Sequence, residues 1–134
     1  MDKRQAIAIS EFVSERTPRP LMGPILNFDL DAEMAALRDE EAWHANGHNA
    51  RTLIKHSEYR VVLIALRNGR QVHEQQTDER IALQTLRGRV RLHVPTESVD
   101  LRAHQLVSLD RHVPWSLEAT EDCDFLLWLG WSKH

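Results

Sequence analysis

Short apolar runs alternate with turn signals through most of this sequence, and that rhythm restricts the chain to few folds. From Arg51 onward, β-branched or leucine-rich runs are separated by turn residues about every 8 to 12 positions. The runs are RTLIKH, YRVVLIALR, QVHEQQ, RIALQTLR, RVRLHV, SVDL, QLVSL, WSLEA and DFLLWLGW. Asn68-Gly69 and Gly88 supply tight reversals that make neighbouring runs antiparallel. About eight or nine such strands predict an all-β sandwich or barrel.

The order of apolar residues within the runs indicates which faces are buried. In residues 89–94, Val90, Leu92 and Val94 alternate with basic residues, so one face is buried and the other solvated. The last run presents Phe125, Leu127, Leu129 and Trp131 on one face and Leu126, Trp128 and Gly130 on the other. Residues 59–67 lack alternation, and a continuous apolar strand needs cover on both faces. The sequence therefore predicts that a helix or a second subunit packs outside the sheet.

The beginning of the chain has a different character. Residues 1–24 mix charges with three prolines, which exclude a long regular element and predict an extended N-terminal arm that flexes or packs on a partner. A helix is predicted over about residues 30–44, because Asp29 or Asp31 can cap its start and Asn46-Gly47 can stop it. We therefore expect one domain over residues 25–134, with strands from about residue 51.

Charge and cysteine content exclude several kinds of partner. The 134 residues carry 17 Lys and Arg against 20 Asp and Glu, so the net charge of -3 gives no field that would attract nucleic acid or anionic lipid. No apolar run is long enough for a membrane span or a signal peptide. The single cysteine, Cys123, lies in the acidic run EDCD and is expected to be inert. We expect a cytoplasmic protein without disulfides.

The stretch from Gly69 to Ala119 resembles the two motifs of the cupin superfamily by spacing. In the family's first motif, two glycines enclose a His-x-His pair and a glutamate, which supply metal ligands. Gly69 and Gly88 stand at the glycine positions here. The three ligand positions between them hold Gln75, Thr77 and Ile81.

The second motif carries the same resemblance. QLVSLDRHVPWS is similar to the family's version of this segment and puts Trp115 at the position of the last histidine ligand. The resemblance implies an all-β, antiparallel jelly-roll or cupin β-barrel, with one short N-terminal helix and the extended arm. Members of the family often hold a metal inside the barrel, but all four customary ligand positions are replaced in this chain.

The replacing side chains do not suit a transition metal. Gln75 offers a neutral carbonyl oxygen, Thr77 a weak hydroxyl ligand, Ile81 nothing, and Trp115 only an N–H donor. We therefore expect no cofactor and a cupin-like barrel that binds a small organic molecule or serves as a scaffold. The residues predicted to line its cavity are His73, Gln75, Thr77, Gln84 and Trp115. Trp131 is a further candidate for contact with a ligand, because it lies near the open end.

Two alternatives stay open. The first is a metal-dependent enzyme of the oxygenase or isomerase type, which would use a divalent transition metal at a displaced site. Its ligands would be His73, Gln75 and His112, or Glu74 in place of Gln75. This set requires a regular strand around residue 73, because only then do His73 and Gln75 share one face. The second is a purely structural protein with a filled interior. In each case we expect a homodimer formed through a sheet face.

Overall fold

The computed structural model describes residues 6–8 and 23–130. Its strands are β1 (Ala6–Ile7), β2 (His48–Lys55), β3 (Tyr59–Leu66), β4 (Gln71–Gln75), β5 (Arg80–Arg87), β6 (Arg89–Val94), β7 (Glu97–Arg102), β8 (Leu106–Leu109), β9 (Trp115–Ala119) and β10 (Cys123–Gly130). Two helices, α1 (Leu30–Asp39) and α2 (Glu41–Asn46), precede β2. Most of the predicted arm and Trp131 lie outside the described residues. Neither described helix has the length and apolarity that a membrane span requires.

The strands form two five-stranded sheets. The first sheet has the order β1-β4-β9-β6-β7 and the second has the order β2-β3-β10-β5-β8. The pairing is antiparallel except for β1, which lies parallel to β4. The predicted all-β jelly-roll architecture is confirmed, although the two sheets face each other without closing into one continuous barrel.

The main core lies between the two sheets. Its largest members are fully buried: Trp115, Phe125, Leu83, Leu92, Leu117 and Leu127. Ile7 also packs into this core, so the described part of the arm, residues 6–8, includes a strand that packs on its own chain. The interior is therefore filled by apolar side chains from both sheets, and their burial supplies most of the stabilisation.

The predicted single helix is wrong in one respect, because the helix is broken at Glu40. Glu40 has an extended backbone with ψ 151, and it separates α1 from α2. The amide of the buried Asn49 explains the break, since its Nδ2 donates to the Leu37 carbonyl at 2.9 Å and to the Glu40 carboxylate at 2.9 Å. Strand β2 starts three residues earlier than expected, at His48, and thereby brings Asn49 to this junction.

The helices provide the cover that the continuous apolar strand β3 requires. A second apolar cluster joins Met34, Leu37 and Trp43 to the outer residues of β2, β3 and β10. Arg38 spans this layer, stacks 4.2 Å from the Trp43 ring centroid and donates to the buried Asp124 carboxylate at 2.9 Å. The cover that was predicted outside this sheet is therefore provided, over part of the sheet, by the chain's own helical segment.

The two motif glycines differ in how tightly the neighbouring atoms surround them. Gly88 has φ 75, and a Cβ there would lie 2.1 Å from the Asp122 carbonyl oxygen, so only glycine fits this reversal between β5 and β6. Gly69 has φ 92 in the turn between β3 and β4, with open space around it. Both glycines therefore occupy reversals that link strands of opposite sheets. The expectation that these turns join neighbouring antiparallel strands is wrong, because β3 does not pair with β4 and β5 does not pair with β6.

Candidate functional site

The residues that stand at the motif's ligand positions lie at one end of the space between the sheets. This end is formed by the last residue of β4, the loop 76–79, the start of β5 and the start of β9. Gln75 pairs in register with Trp115, and Ile81 follows the loop on the facing sheet. The register therefore brings Gln75 beside Trp115, and the side chains at the four positions have different surroundings.

Trp115 and Ile81 belong to the packed core. Trp115 is 2% exposed and Ile81 is 4% exposed, and both lie in the apolar cluster between the sheets. The indole Nε1 of Trp115 is buried and has no hydrogen-bond partner among the described residues. Two of the four ligand positions are therefore filled by apolar packing, and one buried N–H group is left unsatisfied.

A β-bulge separates Gln75 from His73. Val72 pairs with Leu117 and Gln75 pairs with Trp115, so β4 uses three steps where β9 uses two. Val72 and Gln75 therefore both lie on the inner face, whereas His73 and Glu74 are exposed in the bulge. The expectation that His73 shares a face with Gln75 required a regular strand, and the bulge shows that the strand is irregular at this point.

Gln75 is half-buried at the rim of the core. Its Nε2 donates to the His73 backbone carbonyl at 3.0 Å, which leaves the side-chain oxygen as an acceptor. This local hydrogen bond fixes the amide beside the bulge. Gln75 is thus the polar side chain that lies opposite Trp115 in register.

Thr77 and His112 meet through their backbones across the mouth of the site. The His112 N–H donates to the Thr77 carbonyl at 2.9 Å, and the Gln76 side chain donates to the His112 carbonyl at 2.9 Å. His112 has φ 65, a backbone conformation that glycine adopts most readily, and its exposed ring lies 3.5 Å from the Asp78 carboxylate. These contacts join the loop 76–79 to the turn before β9.

Gln84 lies on the other face of β5 from the core. It pairs with Leu126 on β10 and Leu106 on β8, whereas Leu83 and Thr85 point between the sheets. The structure therefore separates Gln84 from Gln75 and Trp115. The sequence pattern could have indicated Thr85 instead, because Thr85 shares the inner face of β5 with Leu83. Thr85 is fully buried, and its Oγ1 has no partner among the described residues.

The donor set at this end does not fit a metal ion. Over residues 6–8 and 23–130, no group of three or more His, Cys, Asp or Glu side chains is placed to hold one. His73, Gln75 and His112 do not form a shared site, because His73 points away from Gln75 and the His112 ring faces Asp78. The indole N–H of Trp115 can only donate a hydrogen bond.

A hydrogen bond from the Arg111 backbone and the nearby charge of Arg80 lower the pKa of Asp110, so this exposed carboxylate close to the turn is ionised at neutral pH.

The Cys123 thiol does not add a nucleophile to the site. It is fully buried in the main core, at the far end of β10. Burial and, to a smaller extent, the charge of Asp124 together raise the pKa of Cys123 to about 12. The thiol is therefore protonated at neutral pH, as its acidic surroundings in the sequence suggested.

Comparison with known proteins supports the fold. No protein-family model and no curated protein matches the chain. A conserved protein of unknown function from Streptococcus pyogenes is similar in structure, with a TM-score of 0.69 at 16% identity, over 90% of this chain and 100% of that one. A cupin-2 domain protein from Shewanella frigidimarina has a TM-score of 0.63 at 10% identity, over 78% of this chain and 94% of that one.

A much longer enzyme has the same architecture in part of its chain. Salicylate 1,2-dioxygenase from Pseudoaminobacter salicylatoxidans has a TM-score of 0.68 at 17% identity, over 90% of this chain and 39% of the enzyme. At such identities the likeness concerns architecture, since one fold hosts many activities. The two facing sheets, the reversals at Gly69 and Gly88 and these structural likenesses agree that this chain has the cupin fold.

Proposed function

We propose that this chain is a cupin-fold binding or scaffold domain that works without a metal centre. The observation that carries the proposal is the burial of Trp115 and Ile81 at two of the ligand positions. A metal site needs several polar side chains that converge on open space, whereas these two residues fill that space with apolar groups. The oxygenase or isomerase alternative would need ligands that neither the customary nor the displaced set supplies.

Metal analysis tests this proposal directly. Protein purified without a metal-affinity tag should contain no stoichiometric iron, manganese, nickel, copper or zinc by mass spectrometry of the elements. Its thermal midpoint should also stay the same when EDTA or each divalent metal is added, because no native site gains binding energy. A stoichiometric metal that is lost in a His73→Ala or His112→Ala variant would refute the proposal and establish the displaced site.

A small organic ligand is the partner that one observation favours. The buried Nε1 of Trp115 lacks an acceptor among the described residues, and the Gln75 side-chain oxygen and nitrogen lie on the neighbouring strand at the same register. An unsatisfied buried donor costs about 1–3 kcal/mol, which a ligand with a carbonyl or carboxylate oxygen would recover. Trp115 would supply an apolar wall, Gln75 would orient polar groups, and Thr77 lies at the mouth of the site.

Indole N–H resonances provide a sensitive test of such binding. The chain has four tryptophans, and each gives one indole signal in a nitrogen–proton correlation spectrum. A mixture of small aromatic and aliphatic carboxylates should shift the Trp115 signal, assigned with a Trp115→Phe variant, and leave the signal of the exposed Trp128 in place. If the whole mixture at millimolar concentration leaves the Trp115 signal unmoved, the scaffold interpretation stands and the ligand interpretation fails.

A further inference from the structure

Three polar side chains form a hydrogen-bonded chain across the outer face of the first sheet, away from the core that holds Trp115. The His93 Nδ1 lies 2.8 Å from the Ser98 hydroxyl oxygen, and the His93 Nε2 lies 3.3 Å from the Glu118 Oε1. The three side chains come from neighbouring strands, because β6 lies between β9 and β7. A serine, a histidine and a carboxylate connected in this order are the groups that activate a hydroxyl for nucleophilic attack.

Strand register brings these side chains together. His93 of β6 pairs with Ser98 of β7 and, on its other side, with Ser116 of β9. Within the described ranges, Ser98 is the one of the two serines that the ring contacts by a hydrogen bond, because the other ring nitrogen bonds Glu118. The His93 and Glu118 side chains are 39% and 36% exposed, so a substrate reaches the ring and the exposed Ser98 hydroxyl without any opening of the fold.

Backbone donors lie beside the hydroxyl, because β7 is the edge strand of its sheet. The Arg102 N–H donates to the Gln105 side chain at 2.8 Å and not to β6. The N–H groups of alternate residues point to the same side of a strand, so those of Asp100 and Ser98 point to the free edge as well. Neither N–H has a hydrogen-bond partner in the part of the chain that the structure describes. Such donors suit the negative charge that develops on an attacked carbonyl oxygen.

We propose that Ser98 and His93 are a catalytic pair that hydrolyses small, uncharged carboxylic esters, with Glu118 as the positioning residue. The neutral ring carries its proton on Nε2, donates it to Glu118, and accepts the Ser98 hydroxyl proton at Nδ1. The charged neighbours Arg91 and Asp100 bind each other at 2.9 Å, and the Glu118 carboxylate repels anions. The site lies on an exposed sheet face and contacts little beyond the reacting ester group, which favours short acyl chains.

The reaction needs only water as a second substrate. The Ser98 oxygen attacks the ester carbonyl carbon, its proton moves to His93 Nδ1, and the free Ser98 N–H binds the carbonyl oxygen as it becomes negative. The tetrahedral intermediate expels the alcohol, which takes the proton from the ring. Water then attacks the acyl-serine and gives a proton to Nδ1. The bond to Ser98 breaks, the carboxylic acid leaves, and the ring returns the proton to the serine.

A fluorophosphonate probe tests the nucleophile. This reagent forms an O–P bond with an activated serine and loses fluoride, so peptide mass spectrometry of the labelled full-length chain locates the reactive residue. We expect the adduct at Ser98 and not at Ser116. His93→Gln should slow adduct formation by at least about 100-fold, because it removes the general base. Ser116→Ala is the matched control, since this serine flanks the same ring from β9, and it should label at the wild-type rate.

Glu118→Gln tests the positioning role. It should lower the maximal rate of adduct formation by at least about tenfold and leave the probe concentration for half-maximal rate unchanged, whereas Glu118→Asp should restore part of the rate. Ser98→Ala should lower the hydrolysis of p-nitrophenyl acetate by at least about tenfold. Far-UV circular dichroism checks that each variant is folded.

Three results would each overturn the proposal: equal labelling of Ser98 and Ser116, a His93→Gln variant that labels at the wild-type rate, or a Ser98→Ala variant that hydrolyses the ester at the wild-type rate. The absence of a metal centre and ligand binding near Trp115 are tested separately, because this site shares no side chain with them.

Discussion

Replacement of Trp115 by alanine tests whether this residue is part of the core or the wall of a vacant site. The side chain is 2% exposed and packs between the sheets with Leu117 and Phe125. An aromatic side chain of this size buries about 200 Å², which at about 25 cal/mol per Å² is worth about 5 kcal/mol. Removal of the unsatisfied buried N–H recovers about 1–3 kcal/mol, so the net loss in the free energy of unfolding should be about 2–4 kcal/mol. In a chain of this length, that lowers the thermal midpoint by roughly 8–16 °C.

Trp115→Phe separates packing from hydrogen bonding. Phenylalanine keeps most of the apolar volume and removes the unsatisfied donor, so we expect its free energy of unfolding to be within about 1 kcal/mol of the wild-type value. Urea unfolding followed by far-UV circular dichroism is the suitable assay, because the substitutions remove a fluorophore. A loss below about 1 kcal/mol for Trp115→Ala would refute the assignment of Trp115 to the core. A loss well above about 1 kcal/mol for Trp115→Phe would show that the indole N–H has a bound partner in solution.

Three further predictions follow from other buried or constrained groups. Gly88→Ala should lower the free energy of unfolding by more than about 1 kcal/mol in urea titrations, because φ 75 and the Asp122 carbonyl both oppose a Cβ. A thiol reagent at pH 8 should label Cys123 in urea but leave it unlabelled in native protein over minutes, since the thiol is buried and its pKa is raised to about 12. Burial raises the pKa of Asp124 in the folded state, so the protonated carboxyl stabilises the fold. This stabilisation is fully present below the ordinary aspartate pKa and is lost as the pH rises through the raised value. Asp124→Asn should therefore gain stability relative to wild type as the pH rises above the ordinary aspartate pKa of about 4. Asp100→Asn should lose stability relative to wild type as the pH rises towards that ordinary value from below, because the Arg91 hydrogen bond lowers the pKa of Asp100. Parallel pH profiles of the two variants would contradict this reasoning.

The fold was largely predictable because its determinants are local. The alternation in residues 89–94 depends on short-range geometry, and it predicted the correct inner face of β6. The turn at Gly88 was located correctly, but its pairing was not, because β5 and β6 belong to different sheets. The break between α1 and α2 was not predictable from the helix sequence. It depends on the amide of Asn49, which reaches the helix only after β2 has paired with β3.

The candidate site was predictable in position but not in detail, and the difference lies in the bulge of β4. Counting by two from Gln75 puts His73 on the same face, and the sequence QVHEQ gives no sign that this count fails. A bulge is a property of a strand pair, since it exists only because β9 has one residue fewer between Leu117 and Trp115. Side-chain direction at position 73 therefore cannot be derived from β4 alone.

The replaced ligand positions and the apolar core have one physical explanation. Polar ligands in the interior of a small domain are stable when a metal satisfies them, because an unsatisfied buried polar group costs free energy. At positions 81 and 115, the apolar side chains of Ile81 and Trp115 fill the volume, so no metal is needed to satisfy polar groups there. The packing at these two positions is therefore stable without a bound ligand. Two polar groups left inside without a partner among the described residues, the Trp115 N–H and the Thr85 hydroxyl, lie on different strands. An interior of this kind is therefore stabilised by packing, and Gln75 at its rim is the polar side chain that lies opposite Trp115.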